Sequence, residues 1–120
     1  MTDYQDNDSS AEAKNLAGLL QYQTGSIVSR VLLKNKGGTV TLFAFSEAEG
    51  LSEHTAPFDA LVNVIDGEAD IEIASERFRV RAGEIIFLPA NRPHAVSAVT
   101  DFKMLLIMIR SEMSEGTKSN

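Results

Sequence analysis

Two histidines, His54 and His94, are the side chains best suited to chemistry, and the chain has no others. Imidazole titrates near neutral pH, so a histidine can transfer protons, and its neutral ring binds divalent metal ions. Three roles are open. The pair could hold one ion with waters or a substrate completing its shell. It could bind a substrate or move a proton without metal. It could also be structural, with both rings bonded to backbone or water.

Two further side chains are candidate ligand contacts. Arg92 lies in the loop beside His94, where a guanidinium could reach the carboxylate of a substrate. Phe58 follows the first histidine, and the chain has more large apolar side chains than one small barrel can hold, so some should line a ligand pocket or a dimer face. The nearby carboxylates of Glu53 and Asp59 have the wrong strand parity to join the histidines unless a bulge intervenes.

Composition restricts the class of protein. The chain has 120 residues, enough for one domain, and no cysteine, which excludes disulfides, thiolate metal sites and cysteine nucleophiles. A net charge of −6 disfavours binding to nucleic-acid phosphates. No apolar run approaches the ~20 residues of a membrane span, and the acidic opening MTDYQDNDSS is unlike a signal peptide. We therefore expect a cytoplasmic protein with no nucleic-acid or membrane partner.

The elements that must position the histidines are expected to be short β-strands. From Glu68 to Ile73 apolar and acidic residues alternate, and this period of two is typical of a half-buried antiparallel strand. The preceding Asp66-Gly67 pair predicts a hairpin turn with a positive φ at the glycine. Pro89 should end a strand, because it cannot donate to a ladder. About eight or nine such strands, with no room for crossover helices, predict an all-β sandwich or barrel.

Three segments divide the chain. Residues 1–10 are expected to be a disordered acidic tail, residues 11–110 a single domain, and residues 111–120 a polar tail. A short helix is expected from residue 9 or 10 to about Leu20, because a serine can cap its start and leucines recur on one face.

Residues 50–94 resemble the two-motif core of the cupin family, small β-barrels that often hold a metal ion. His54 stands at the first histidine position of the first motif, and Gly67 closes that motif at the correct spacing. In the second motif, Pro89 and His94 match the family's proline and histidine. The similarity extends over roughly residues 39 to 109, most of the chain.

The sequence also departs from the family pattern. The resemblance implies a metal site of three histidines and one glutamate, but Ala56 occupies the second histidine position and Ala60 the glutamate position. Asn91 replaces a glycine of the second motif, which is tolerable because asparagine enters the left-handed region more readily than most residues. Only His54 and His94 therefore remain as metal ligands.

The resemblance implies an all-β fold, an antiparallel jelly-roll barrel, preceded here by the short N-terminal helix. It implies a small-molecule-binding barrel with a two-histidine site for a divalent ion such as Zn, Ni, Fe or Mn. The alternative is a metal-dependent dioxygenase or isomerase acting on a small organic substrate, so whether the protein is an enzyme stays open. The family habit also implies a homodimer in which N-terminal strands pair with the partner's sheet, and residues 27–33 are the candidate for that exchange.

Overall fold

The computed structural model describes residues 11–110, and β-strands dominate that part of the chain. In chain order the nine strands found there are β1 (Ile27–Asn35), β2 (Gly38–Phe45), β3 (Gly50–His54), β4 (Asp59–Asp66), β5 (Glu68–Ile73), β6 (Glu76–Arg81), β7 (Ile85–Leu88), β8 (His94–Ala98) and β9 (Phe102–Ile109). The two predicted tails, residues 1–10 and 111–120, lie outside the described residues.

The strands form two antiparallel sheets. The five-stranded sheet has the order β1-β2-β9-β4-β7, and the four-stranded sheet has the order β3-β8-β5-β6. The chain passes between the sheets several times, for example from β3 to β4 and from β7 to β8, so the sheets enclose one core. The predicted antiparallel jelly-roll barrel is confirmed.

Alternation along the strands decides which side chains enter the core. Ala69, Ile71 and Ile73 of β5 are buried, and the acidic residues between them are only partly covered. In β4, Val62 and Val64 are completely buried in the same way. The period of two seen in the sequence is therefore the pleat of half-buried strands, because successive side chains point to opposite faces.

Two turn residues adopt the left-handed backbone that the sequence predicts. Gly67, between β4 and β5, has φ 75°, and a Cβ there would collide with the Asp101 carbonyl oxygen and lie 2.9 Å from Cα of Phe102. Asn91 has φ 66°, and its backbone N–H donates to the Ala56 carbonyl at 2.8 Å. This bond ties the loop after β7 to the segment that follows β3.

The two ends of the barrel differ. At the end near the Gly67 turn, the fully buried rings of Phe45 and Phe102 stack with centroids 4.6 Å apart and fill the space between the sheets. At the opposite end, β3 finishes with His54 and β8 starts with His94. This second end is called the open end below.

The N-terminal helix predicted over residues 9–20 is shorter than expected. Of its described part, only Leu16–Leu19 is helical, as a single 3₁₀ turn, and the Asn15 side chain accepts a hydrogen bond from the Gly18 N–H at 3.1 Å. Among the described residues, no helix has the length and apolarity needed to cross a bilayer.

Contacts with the sheet explain why the helix stops. The buried Lys103 of β9 donates from Nζ to the Ala17 carbonyl, and the same ammonium lies 4.8 Å from the centroid of the Tyr22 ring. The Tyr22 hydroxyl in turn donates to the Asp66 carboxylate. The segment is thus laid across the outer face of the five-stranded sheet, and these contacts outweigh its local helix propensity.

Candidate functional site

The two histidines lie side by side at the open end. His54 and His94 are direct partners in the antiparallel ladder between β3 and β8. Their ring centroids are 4.4 Å apart, and the rings meet edge to face at 69°. The structure thus brings together the two residues that the sequence singled out.

Strand alternation turns His94 towards the barrel interior. Val96 and Ala98, two and four residues further along β8, are buried on the inner face, and His94 has the same parity. On its other side His94 pairs with Ile73 of β5, a member of the core. The ring therefore stands between His54 and an apolar neighbour, partly removed from solvent.

A bulge turns His54 to the same side. Leu51 pairs with Val96, so a regular antiparallel ladder would place Glu53 opposite His94. The register shifts between Leu51 and His54, and His54 takes that position instead. One extra residue in β3 therefore decides that an imidazole, and not a carboxylate, faces the second histidine.

Backbone carbonyls fix the tautomer of both rings. Nδ1 of His54 lies 2.8 Å from the Ser52 carbonyl oxygen, and Nδ1 of His94 lies 3.2 Å from the Arg92 carbonyl oxygen. A carbonyl oxygen can only accept, so each Nδ1 carries a proton, and in the neutral form of either ring Nε2 is the nitrogen with the lone pair. Metal-binding histidines are commonly oriented in this way, with one nitrogen held by the protein and the other free for a ligand.

The environment favours the neutral form of His94. Burial lowers the pKa of His94 below its ordinary value of 6.5, and the nearby His54 lowers it further, whereas the bond to the Arg92 carbonyl acts in the opposite direction. A neutral ring at neutral pH is the form that accepts a hydrogen bond or binds an ion.

A small cavity lies at the same end of the barrel. It measures about 90 Å³ and is lined by Gly38, Thr39, Phe58, Met108 and Arg110. Phe58 belongs to the short connection between β3 and β4, which starts from the histidine pair. The structure therefore places this predicted ligand contact on a cavity wall.

Two polar residues of this cavity, Thr39 and Arg110, were not among the candidate site residues predicted from the sequence. Thr39 Oγ1 is buried and has no hydrogen-bond partner among the described residues. The Arg110 guanidinium carbon lies 5.5 Å from the centroid of the Phe58 ring, within cation–π range. Both residues stand at strand ends and belong to no motif, so no local signal marks them; only the pairing of β2 with β9 brings them together.

The predicted ligand contact Arg92 has an exposed side chain in the loop before β8. Its backbone is the part that the histidine site uses, because the Arg92 carbonyl holds Nδ1 of His94. No carboxylate in residues 11–110 forms an ion pair with its guanidinium.

The donor set is smaller than the four-ligand set of a cupin metal site. Ala60 is buried between Leu88 and Met108, its ladder partners, so its surroundings supply methyl and thioether groups in place of a carboxylate. Across residues 11–110, no three His, Cys, Asp or Glu side chains come together as a possible metal site. The described residues supply two of the four donors, both of them imidazoles, and do not fit a complete four-ligand site.

Comparison with known proteins decides the family. Residues 41–110, more than half of the chain, match the Cupin_2 family, described as a cupin domain. The chain belongs to the cupin family. No curated protein matches this cupin in sequence.

Solved structures support the assignment. A conserved protein of unknown function from Streptococcus pyogenes is 32% identical, with a TM-score of 0.83, and the alignment covers 89% of this cupin and 94% of that chain. A cupin superfamily protein from Desulfitobacterium hafniense is 25% identical, with a TM-score of 0.80, covering 85% and 94%. A cupin 2 conserved barrel domain protein from Leptotrichia buccalis is 46% identical, with a TM-score of 0.78, but only 47% of its chain is matched, against 81% of this one.

Proposed function

We propose that this cupin binds a small organic molecule at the open end of its barrel, with His54 and His94 as its polar contacts. One observation carries the proposal. Both imidazoles are oriented by backbone carbonyls so that two Nε2 lone pairs stay available on adjacent rings. A purely structural histidine has no need of a free acceptor, whereas a bound hydroxyl, amide or metal ion would use both.

The cavity indicates the chemical class of the molecule. Phe58 and Met108 supply apolar wall, Thr39 an unused hydroxyl, and Arg110 a positive charge at the rim. A volume of about 90 Å³ suits a few heavy atoms of a ligand whose remainder would extend towards the histidines. We therefore infer an apolar or weakly acidic ligand, such as a small carboxylic acid.

A divalent ion is compatible with the histidine pair. Zn, Ni, Fe or Mn could be bound through Nε2 of His54 and His94, with waters or the organic molecule completing its coordination shell. Such an ion would act as a Lewis acid on an oxygen of the bound molecule. The protein's part is to hold the two rings in one tautomer and to place the apolar Ile73 beside His94.

The alternative function is a metal-dependent dioxygenase or isomerase. It requires an ion held firmly by the protein while coordination positions stay open for substrate. The methyl groups of Ala56 and Ala60 occupy the positions where the family has its other ligands, which favours binding over catalysis.

Isothermal titration on protein purified without a histidine tag tests the proposal, first with Zn²⁺ and Ni²⁺ alone. We expect one ion per chain, and none in His54→Ala or His94→Ala. Arg92→Ala is the matched control, because it keeps the carbonyl that orients His94 and should leave ion uptake unchanged.

Ligand-observed NMR with aliphatic and aromatic monocarboxylates is the second measurement. Binding that disappears in both histidine variants but needs no metal would support the proposal in its metal-free form. If neither ions nor carboxylates bind in a histidine-dependent way, the proposed site is wrong. Turnover of a carboxylate under oxygen or by isomerisation would establish the alternative function.

A further inference from the structure

A larger cavity opens on the side of the barrel. It measures about 630 Å³ and lies between β6, an edge strand of the four-stranded sheet, and β7, an edge strand of the five-stranded sheet. Its walls are mainly apolar and include the side chains of Ile73, Phe78, Val80, Ile86 and Phe87. This cavity is called the lateral cleft below.

The lateral cleft exists because two strand edges are left open at the same place. Within residues 11–110, β6 pairs only with β5, and β7 pairs only with β4. The short turn at residues 82–84 joins the two strands at one end. Beyond that turn no ladder links the two sheets, and the inward side chains of Val80 and Ile86, which belong to the core or pack against it, line the gap.

Ile73 connects the lateral cleft with the histidine pair. It lines the cleft and is also the ladder partner of His94 between β5 and β8. On the inner face of the four-stranded sheet, His54, His94 and Ile73 therefore stand in one row on neighbouring strands. Strands are about 4.8 Å apart, so β6, at the edge of the cleft, is about 10 Å from β8. One elongated molecule can span that distance.

We propose that the lateral cleft binds the hydrocarbon chain of an aliphatic monocarboxylic acid whose acidic end lies at His54 and His94. The inference rests on the proposed function, because it extends the ligand of the same site. The small cavity of about 90 Å³ accepts a few heavy atoms, whereas about 630 Å³ is in the range of pockets that bury most of a ligand. The ligand class is therefore a straight-chain fatty acid, not a short acid.

Charges at the rim indicate which end of the molecule occupies the cleft. The Arg79 guanidinium donates to Asp70 at 2.6 Å and to Glu68 at 3.3 Å. The Glu84 carboxylate accepts from the backbone N–H of Arg81 at 2.8 Å. Arg79 and Glu84 thus both have partners of their own within residues 11–110, and the cleft suits an uncharged chain. The acidic end is left to the histidine pair, where Nε2 accepts the proton of the acid or binds an ion that holds its carboxylate.

An extended peptide is the other molecule that an open strand edge accepts, because such an edge offers backbone hydrogen bonds. The Val64 N–H donates to the Glu84 carbonyl at 3.0 Å, so the ladder with β4 uses every second residue from Glu84 onward. In β7, Ile85 and Phe87 are therefore the residues that turn their N–H and C=O groups to the open edge. This edge is too short to hold a strand firmly, which favours the hydrocarbon chain.

Straight-chain monocarboxylic acids of increasing length test the proposal by titration calorimetry, in metal-free buffer and again with added Zn²⁺. Between about four and about twelve carbon atoms, each CH₂ group buried in the cleft should lower the Kd up to about fourfold, until the cleft is filled. Short acids report on the histidine pair alone. If they bind through the histidines but the Kd does not fall with chain length, the cleft inference is wrong and the proposed function stands.

Three alanine variants locate the chain. Phe78→Ala, in the wall of the cleft, should weaken binding of the longest acid about tenfold and leave the shortest acid unchanged, since an apolar contact is lost. Phe87→Ala, at a rim position that is 52% exposed, should act in the same direction without endangering the fold. Val31→Ala is the matched control, because Val31 is 57% exposed on β1 at the opposite edge of the same sheet. If neither phenylalanine variant differs from Val31→Ala, the chain does not lie in the cleft.

The histidine variants distinguish this inference from the proposed function. His54→Ala and His94→Ala should weaken short and long acids by a similar factor, because they remove only the contact with the acidic end. If long acids bind these variants as tightly as the wild type but still lose affinity in Phe78→Ala, the cleft binds a hydrocarbon chain and the proposed role of the histidines is wrong. If no acid of any length binds, both proposals fail.

Intermolecular NOEs determine the orientation of the bound acid. Its terminal methyl group should give NOEs to Ile86, and the CH₂ group next to its carboxylate should give NOEs to the ring of His94. The reverse pattern contradicts the proposal. A valine-rich peptide that shifts the backbone amides of Ile85 and Phe87, in a protein that binds no acid, would show that the cleft accepts a peptide strand instead.

Discussion

His54 and His94 face each other across the β3–β8 ladder with ring centroids 4.4 Å apart, and a bulge in β3 creates this pairing. Without the register shift after Leu51, Glu53 would be the residue opposite His94. A carboxylate beside that ring would favour its charged form, whereas a second imidazole favours the neutral form. The local irregularity therefore determines the electrostatic character of the site.

Acid should destabilise the fold through His94. Its pKa in the folded protein is lowered by burial and then by His54, so below pH 6.5 the unfolded chain binds a proton more readily than the folded one. This contribution to stability is complete above that pH and is lost as the pH falls towards the folded pKa. The other ladder neighbour of His94, Ile73, is apolar and does not titrate.

Urea unfolding at about pH 7.5 and about pH 5.5 measures this effect as a change in the transition midpoint. In His94→Gln the change between the two pH values should be smaller than in the wild type, since one titrating group is missing. An identical change in both proteins would show that His94 does not contribute to the pH dependence.

Alanine substitutions at two glycines with positive φ should distinguish the energetic cost of backbone strain from the cost of a steric clash. Gly67 and Gly83 have φ of 75° and 91°, but only at Gly67 would a Cβ meet backbone atoms. Gly83→Ala should cost about 1 kcal/mol of unfolding free energy from the unfavourable φ alone. Gly67→Ala should cost clearly more, because the Asp101 carbonyl must also move. Equal losses in chemical denaturation would show that the turn adapts freely.

The sequence predicts much of the fold because its signals are local. Alternation in β5, the turn glycine Gly67 and the left-handed Asn91 each depend on a few neighbouring residues, and the structure confirms all three. The N-terminal helix is shorter than predicted for the complementary reason. Its segment is positioned by Lys103, far away in the sequence, and no pattern within the segment itself reveals that contact.

The candidate site is only partly predictable for the same reason. The residue type and the motif single out the histidines. Their orientation depends on the register shift in β3, which no residue pattern predicts. Thr39 and Arg110 are ordinary strand-end residues in the sequence. They enter the site because β2 pairs with β9, and this long-range strand pairing cannot be read from the neighbouring residues of either strand.

Variants of Tyr22 should show how firmly the N-terminal segment is held. The hydroxyl donates to Asp66 and the ring lies beneath the Lys103 ammonium. Tyr22→Phe keeps the ring and loses one hydrogen bond, which should lower the unfolding free energy by about 0.5–1.5 kcal/mol. Tyr22→Ala loses the cation–π contact as well, for a further ~0.5–2 kcal/mol. If Tyr22→Phe and Tyr22→Ala lower the stability equally in thermal and urea unfolding, the cation–π contact with Lys103 contributes nothing to it.

Replacing the unpartnered hydroxyl of Thr39 should improve stability while impairing binding. Thr39→Val keeps the shape and removes a buried oxygen that has no partner among the described residues, so the ligand-free protein should gain up to ~1 kcal/mol in urea unfolding. Thr41→Val, two residues along the same strand face, is the control and should show no such gain.

A carboxylate probe that bonds to the Thr39 hydroxyl should bind Thr39→Val several-fold more weakly in ligand-observed NMR titrations, since one polar contact is worth about 1 kcal/mol. A variant that is destabilised, or that binds every probe unchanged, would show that this hydroxyl has no part in the site.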